Sequence, residues 1–251
     1  VRRFFLGGHD LEMAEIARLL TEAGEAFEDN GLGWGAGASS YAERIAQSVA
    51  QGETPVLVEL SPDILPEVLA RCVEVDHHGD RAGTDQPSAL DQVWRITGAD
   101  PARWTRWRQL VAANDIGHIA ALRRIGASDE EIRTVRSADR AAQGVTAKDE
   151  ARAAEAARAH RRVAKLLVVE TNLITTSPIV DHLALEMGLP VETNDILILM
   201  PDEAAFFGSG KIIARLRDWP GAWWGGDLPH RGYWGAKLRM QDRTRLISAC
   251  R

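Results

Sequence analysis

Short apolar runs that end on acids or imidazoles, separated by helix-period segments, restrict what this chain can fold into more than any other feature. Phe4–Leu6, Val56–Val58 and Cys72–Val75 are three such runs. Leu11–Ala23 carries Met13, Ile16, Leu19 and Leu20 at helical spacing, Ala42–Gln51 is a further helical stretch, and Pro62–Arg71 is the helix expected to lead into the third run. Strands that alternate with helices predict an α/β fold with a mostly parallel sheet flanked by helices. Each strand of such a sheet delivers its last residues to one edge, where open α/β folds place their ligands. The third run ends on Asp76, His77 and His78, which therefore arrive together at a site-forming edge. Neighbouring side chains of an extended segment point to opposite faces, which predicts different tasks for the two imidazoles, one on a metal and one on substrate.

With 251 residues, 45% of them hydrophobic, the chain can fill a core without covalent staples. Cys72 and Cys250 provide neither a disulfide framework nor a metal–thiolate spacing, and the first residues read directly as a strand rather than a leader. No apolar run approaches the roughly 20 residues of a membrane helix, so a cytoplasmic location without membrane contact is expected. A net charge of −6 argues against binding duplex nucleic acid and leaves room for a local basic groove around one small anion. Eight tryptophans outnumber five phenylalanines and two tyrosines, and Trp219, Trp223, Trp224 and Trp234 cluster late in the chain. A flat aromatic surface and ordinary core packing explain that cluster equally well.

Asp29–Tyr41, with Gly31, Gly33, Gly35 and Gly37 around Trp34, disfavours regular structure and reads as a loop over a site. After His78 a loop leads to the helix Ser88–Thr97, and a second helix, Pro101–Ala113, runs into Asn114–His118. From Ser128 to Arg162 alanine and charged residues dominate, as expected of two solvated helices, the first capped by Ser128 with Glu131. Lys165–Thr171, Ile196–Met200, Ala204–Phe207 and Lys211–Leu216 read as strands and Ile179–Met187 as a helix. The expected domains are residues 1–127, a helical linker at 128–164, and a smaller α/β domain at 165–251.

Four segments carry candidate chemistry: His9, Asp10 and Glu12; Glu59; Asp76, His77 and His78; and Asp115 with His118. Hard divalent ions accept carboxylate oxygens and imidazole nitrogens, and this inventory suits a two-metal site in which Glu59 or Asp115 bridges the ions. Singly, each residue has an ordinary explanation. Asp10 can cap a helix, Glu59 can be a solvated acid, and His118 can lie on a solvated helix face. Two adjacent histidines after a strand and an acid are harder to explain that way.

Val75–Asp76–His77–His78 resembles the signature of the DHH phosphoesterases, a superfamily of RecJ-type exonucleases, oligoribonucleases, cyclic-dinucleotide phosphodiesterases and family II pyrophosphatases. Three other segments fit in order: Asp10–Leu11–Glu12 is similar to the family's first Asp-x-Asp motif, Glu59 stands in place of its second-motif aspartate, and Asp115–Ile116–Gly117 resembles its fourth motif. The chain departs from the pattern in having His9 directly beside Asp10 instead of four residues ahead, and in carrying glutamate at positions 12 and 59. The resemblance implies a divalent-metal-dependent phosphoesterase that hydrolyses a small phosphate ester, such as a nucleotide, short oligonucleotide or cyclic dinucleotide, through a metal-bridged hydroxide. It implies two Mn²⁺ or Mg²⁺ ions on His9, Asp10, Glu12, Glu59, His77 and Asp115, with Asp76 and His78 as catalytic residues and a homodimer as a candidate assembly. The segment Trp224–Gly235 resembles the glycine- and histidine-rich substrate loop of the family's C-terminal domain. That likeness implies substrate contacts from Gly225, Gly226, His230, Arg231 and Gly232, and stacking by Trp223, Trp224 or Trp234. A tryptophan-pinned surface turn is the competing account, and Ser209–Lys211 is a further candidate anion contact. Two other readings stay open: a non-hydrolytic nucleotide- or anion-binding regulatory protein, and an inorganic pyrophosphatase.

Overall fold

The computed structural model describes residues 1–78, 86–226 and 228–251; the loop expected after His78 and Asp227 of the glycine-rich segment lie outside the described residues. The chain forms two compact units, Val1–Gly144 and Val145–Arg251.

In the first unit β1 (Arg2–Leu6), β2 (Ala26–Glu28), β3 (Thr54–Val58) and β4 (Val73–Val75) form a sheet in the order β2-β1-β3-β4, with every pair parallel. Phe4, Phe5, Leu6, Val56, Leu57 and Val58 are all buried, which is why these strands read as continuous apolar runs: a parallel sheet is covered on both faces. Helix α1 (Leu11–Ala23) buries Met13, Ile16, Leu19 and Leu20. The chain leaves β1 toward β2 on one side and places β3 and β4 on the other, so the strand order reverses beside β1. The carboxyl ends of β1 and β3 flank the switch point at which such sheets bind ligands.

Helix α2 (Ala42–Ala50) follows the glycine-rich loop as expected. The crossover before β4 does not form the helix Pro62–Arg71; it contracts to one turn, α3 (Pro66–Leu69). Pro66 is the reason, because proline disfavours helical geometry in the residue before it, and Leu65 is extended at φ −57°, ψ 134°. Helix α4 (Ala89–Thr97) starts where Ser88 accepts a hydrogen bond from the Asp91 amide. Helix α5 (Arg106–Arg124) runs past the expected end and is broken at Gly117 and His118.

The tract expected to be a linker forms two helices, but the boundary between the units falls inside it. Helix α6 (Asp129–Ala142), started by the Ser128–Glu131 capping box, buries Ile132 and Val135 and packs against α1 and α5 in the first unit. Helix α7 (Ala147–Arg158) buries Ala153 and Ala157 and packs against α8 (Ser177–Met187) in the second. One apolar stripe on each helix, sparse but sufficient, attaches it to its own unit.

The second unit is a mixed six-stranded sheet of β5 (Arg161–Val163), β6 (Leu166–Glu170), β7 (Asp195–Leu199), β8 (Glu203–Ser209), β9 (Trp223–Gly225) and β10 (Arg231–Lys237), ordered β5-β6-β7-β8-β10-β9. Among the described residues, only β6 and β7 of this sheet pair in parallel. Alternate residues feed two cores: Leu166, Val168, Leu197, Leu199, Phe206 and Trp234 on one face, and Leu167, Val169, Ile196 and Ile198 on the other. The expected strand Lys211–Leu216 is instead helix α9 (Gly210–Leu216), because Ile212, Ile213 and Leu216 form one helical face and bury together. Helix α10 (Arg243–Ala249) closes the described chain. Among the described residues no helix is long and apolar enough to cross a membrane.

Candidate metal centre

The three strands of the sheet that end beside the switch point each release their next residues there. After β1, Asp10 caps α1 by accepting a hydrogen bond from the Met13 amide at 2.8 Å. After β3, Glu59 adopts φ 50°, an uncommon left-handed conformation for a side-chain-bearing residue, and its amide donates to the Val75 carbonyl at 2.8 Å. After β4 come Asp76, His77 and His78. Asp115 enters from the end of the first segment of α5, two residues before Gly117, and His118 takes φ 47°, ψ −138° at the break. Backbone conformations of this kind cost about 1–3 kcal/mol and persist where their surroundings hold them.

Glu59, His77, His78 and Asp115 each direct a ligand atom into one group whose atoms all lie within 4.8 Å of one another. His77 Nε2 is 2.5 Å from Asp115 Oδ2, 3.2 Å from Glu59 Oε1 and 3.9 Å from Glu12 Oε2. All four of these atoms are buried, and none has a partner with hydrogen-bond geometry. Glu12 shows how deliberate the arrangement is. Its Oε1 accepts from the Leu90 amide at 3.0 Å, in the first turn of α4, which leaves Oε2 toward the cluster. Gln92 joins the same helix to the strand end by donating to the Asp76 carbonyl at 3.0 Å.

The electrostatics follow from crowding. Burial, then the charges of Asp115 and Glu59, push the Glu12 carboxyl well above the usual range. Burial also raises Asp10, against the stabilising Met13 amide; with the charges of Asp115 and Glu59 it is pushed up to about 7. Burial acts to lower the His77 pKa, but the facing carboxylates of Asp115 and Glu59 carry it up to about 10. Burial likewise works to raise Asp115, yet the His77 imidazole holds it below the ordinary carboxylate range. A protonated His77 thus faces the Asp115 and Glu59 carboxylates, and buried polar atoms without partners are costly. Carboxylate oxygens and imidazole nitrogens around one point are the donor set of Mn²⁺ or Mg²⁺, so these residues fit such an ion.

The other expected site residues fall differently. Asp76 Oδ1 accepts from the His78 amide at 2.8 Å and lies 3.3 Å from His78 Nδ1. The two imidazoles do not diverge to opposite faces. Their ring centroids are 4.0 Å apart and both approach Glu59, because the strand ends at Val75 and alternation ends with it. Their exposures still differ: the His77 side chain is 7% exposed and that of His78 is 42%. Glu12 reaches the group's edge, Asp10 senses its charge, and His9 is exposed and outside it, with its amide bound to the Leu32 carbonyl at 2.8 Å. His118 is exposed, as its ordinary reading expected, and its Nδ1 lies 3.1 Å from Arg136 Nη1. The glycine-rich loop is tied down: the Ala38 amide donates to the Ser61 carbonyl, the Ser61 amide donates to the Ala36 carbonyl, and Tyr41 donates to the Leu6 carbonyl while accepting from the Asn30 amide. A side chain at Gly8 would meet the Trp34 backbone at 2.7 Å, yet the Trp34 ring stands 82% exposed.

In the second unit, the segment resembling a substrate loop is largely occupied with its own packing. Arg231 donates to the carbonyls of Val191 and Asn194, at 2.7 and 2.5 Å from Nη2. A side chain at Gly232 would come within 2.1 Å of the Gly225 carbonyl oxygen, and one at Gly226 within 2.6 Å of Gly232 Cα. Trp234 is a core residue whose indole donates to the Leu216 carbonyl, so it is not available for stacking. His230, Trp223 and Trp224 remain exposed, Trp224 beneath the Arg217 guanidinium. At Ser209–Lys211 the Ser209 amide is taken by Asp195 and the Gly210 amide by the His230 carbonyl. Sequence reasoning missed Asn114, Arg136 and Asp139, a buried group behind Asp115. Only their position on two packed helices reveals them.

No protein-family model matches this sequence, and no curated protein matches it. Among solved structures, the chain is similar to the pGpG-specific phosphodiesterase PggH from Vibrio cholerae, with 14% identity over 99% of this chain and 97% of that one and a TM-score of 0.49. It is also similar to the exonuclease RecJ bound to manganese, with 12% identity over 99% of this chain and 89% of that one and a TM-score of 0.42. These likenesses follow the course of the chain and carry no residue roles with them.

Proposed function

We propose that this protein is a divalent-metal-dependent phosphoesterase that hydrolyses a small phosphate ester, with a nucleotide, short oligonucleotide or cyclic dinucleotide as the substrate class. The observation that carries the reading is the convergence of Glu12 Oε2, Glu59 Oε1, His77 Nε2 and Asp115 Oδ2, four buried atoms without hydrogen-bond partners. Glu59, His77 and Asp115 would hold Mn²⁺ or Mg²⁺, with Glu12, His78 and Asp10 at the margin. Bound there, such an ion supplies Lewis acidity toward a phosphoryl oxygen and acidifies water. Asp76 orients the His78 ring through its Nδ1, leaving a partly exposed imidazole to meet the anionic phosphate. Glu12 and Asp10, raised by burial, hold protons when the cluster lacks a cation and release them when one enters. The exposed indole of Trp34, on a loop tethered beside Gly8, supports a nucleotide over pyrophosphate, which offers nothing to stack on.

The test is a panel of phosphomonoesters, pyrophosphate, pGpG, cyclic dinucleotides and short oligoribonucleotides with Mn²⁺, run beside His77→Ala. Release of nucleotide or phosphate that depends on both Mn²⁺ and His77 is the expected result. Activity that survives the substitution, or protein that neither binds Mn²⁺ nor hydrolyses any substrate, refutes the reading.

A further inference from the structure

Directly behind Asp115 lies a buried polar group that the proposed chemistry does not use. Arg136, on α6, is 3% exposed, and its Nη1 lies 2.9 Å from Asn114 Oδ1, 2.9 Å from Asp139 Oδ2 and 3.1 Å from His118 Nδ1. A guanidinium only donates, so the contact with His118 is a hydrogen bond in the tautomer whose Nδ1 accepts. The Asp139 carboxylate is itself fixed, accepting from Gln143 at 3.2 Å. Asn114 and His118 bracket Asp115: one precedes it directly, and the other is the left-handed residue at the break in α5.

We infer that Arg136 is a positioning residue for the metal centre, a strap from α6 that holds both sides of the α5 break and thereby aims Asp115 at His77. This inference rests on the reading of the cluster as a metal site. Three observations lead to it. The break is strained at His118, so something outside the helix must hold it. The two N–H groups of Nη1, shared among Asn114, His118 and Asp139, reach acceptors on either side of Asp115 and so hold the segment from both sides. Asp139, which accepts from Arg136 Nη1 at 2.9 Å, is itself buried where α5 and α6 pack, so the strap is anchored beside the break it holds. A second-layer group that orients a ligand commonly changes metal affinity by about 10- to 100-fold when it is removed.

The experiment is a double-substitution cycle on the full chain, combining Arg136→Met with Asp115→Asn. Mn²⁺ affinity and amide hydrogen exchange of residues 114–120 in the metal-free protein are both measured. The expected result is faster exchange around the break in Arg136→Met and Mn²⁺ affinity weakened by about 10- to 100-fold. In the Asp115→Asn background the same change should cost less than about threefold, because the residue through which Arg136 acts is already lost. Equal losses in both backgrounds would make Arg136 a general stabilising residue and overturn the inference, as would unchanged exchange at the break. Arg136→Lys runs the same cycle if the methionine variant does not fold. Absence of Mn²⁺ binding by the unsubstituted chain would instead refute the metal reading, and the exchange measurement would then decide the strap by itself.

Discussion

Two regions of this protein carry the residues of a binding site, and they use them in opposite ways. At the carboxyl edge of the parallel sheet, acids and an imidazole are buried with atoms left unpaired and facing one another. In the β9–β10 hairpin of the second unit, glycines, an arginine and tryptophans form an equally suggestive stretch of sequence. There the arginine is bound to backbone carbonyls, the glycines make room for a neighbouring strand, and one tryptophan is core. Composition alone cannot separate the two. What separates them is whether polar groups are satisfied from within, since a fold leaves buried donors and acceptors unpaired only at some cost.

Breaking the first region should be costly for function. His77→Ala and Asp115→Ala should each lower Mn²⁺-dependent turnover by more than about 100-fold, beyond the range typical of outer-layer partners. Steady-state rates with saturating Mn²⁺ check this, and a loss below tenfold would count against direct ligation. Breaking the second region should harm stability instead. Gly232→Ala places a methyl group against the Gly225 carbonyl and should destabilise by about 1–3 kcal/mol, read from the denaturant midpoint, with unchanged Mn²⁺ affinity.

Acidity sharpens the same contrast. His77, raised to about 10, and Asp10, raised to about 7, keep protons in the metal-free fold that a metal ion must displace. More protons must leave at lower pH, so Mn²⁺ affinity should rise between pH 6 and 8 by up to about tenfold per unit for each proton released. Calorimetry in buffers of different ionisation enthalpy counts those protons, and a flat profile would contradict the crowding described above. The smallest expected effect is at Trp34. Replacing it with alanine should raise KM for a nucleotide substrate roughly fivefold, at the low end of base stacking, and leave the melting temperature unchanged because the ring is 82% exposed.

Much of this was legible before the fold. Parallel strands buried on both faces announce themselves as apolar runs, and their ends named Glu59, Asp76, His77 and His78. The Ser128–Glu131 capping box and the span of α1 were equally plain, being local. What stayed hidden depends on tertiary context. Lys211–Leu216 reads as a strand because six residues are too few to establish a helical period against a β-like composition. His9 was attached to the cluster because it adjoins Asp10, but the chain turns there toward Leu32. The Arg136 strap comes from α6, where alanine and charged residues dominate, and it acts on the break at His118 in α5. Its role exists only where α5 and α6 pack.

The most direct test of the central claim is an anomalous-difference map at the manganese edge from crystals of the full chain grown with Mn²⁺. A peak among Glu59 Oε1, His77 Nε2 and Asp115 Oδ2, absent in His77→Ala, is the predicted result. Crystals that show no peak there, with these three side chains hydrogen-bonded to one another or to protein groups, would contradict it.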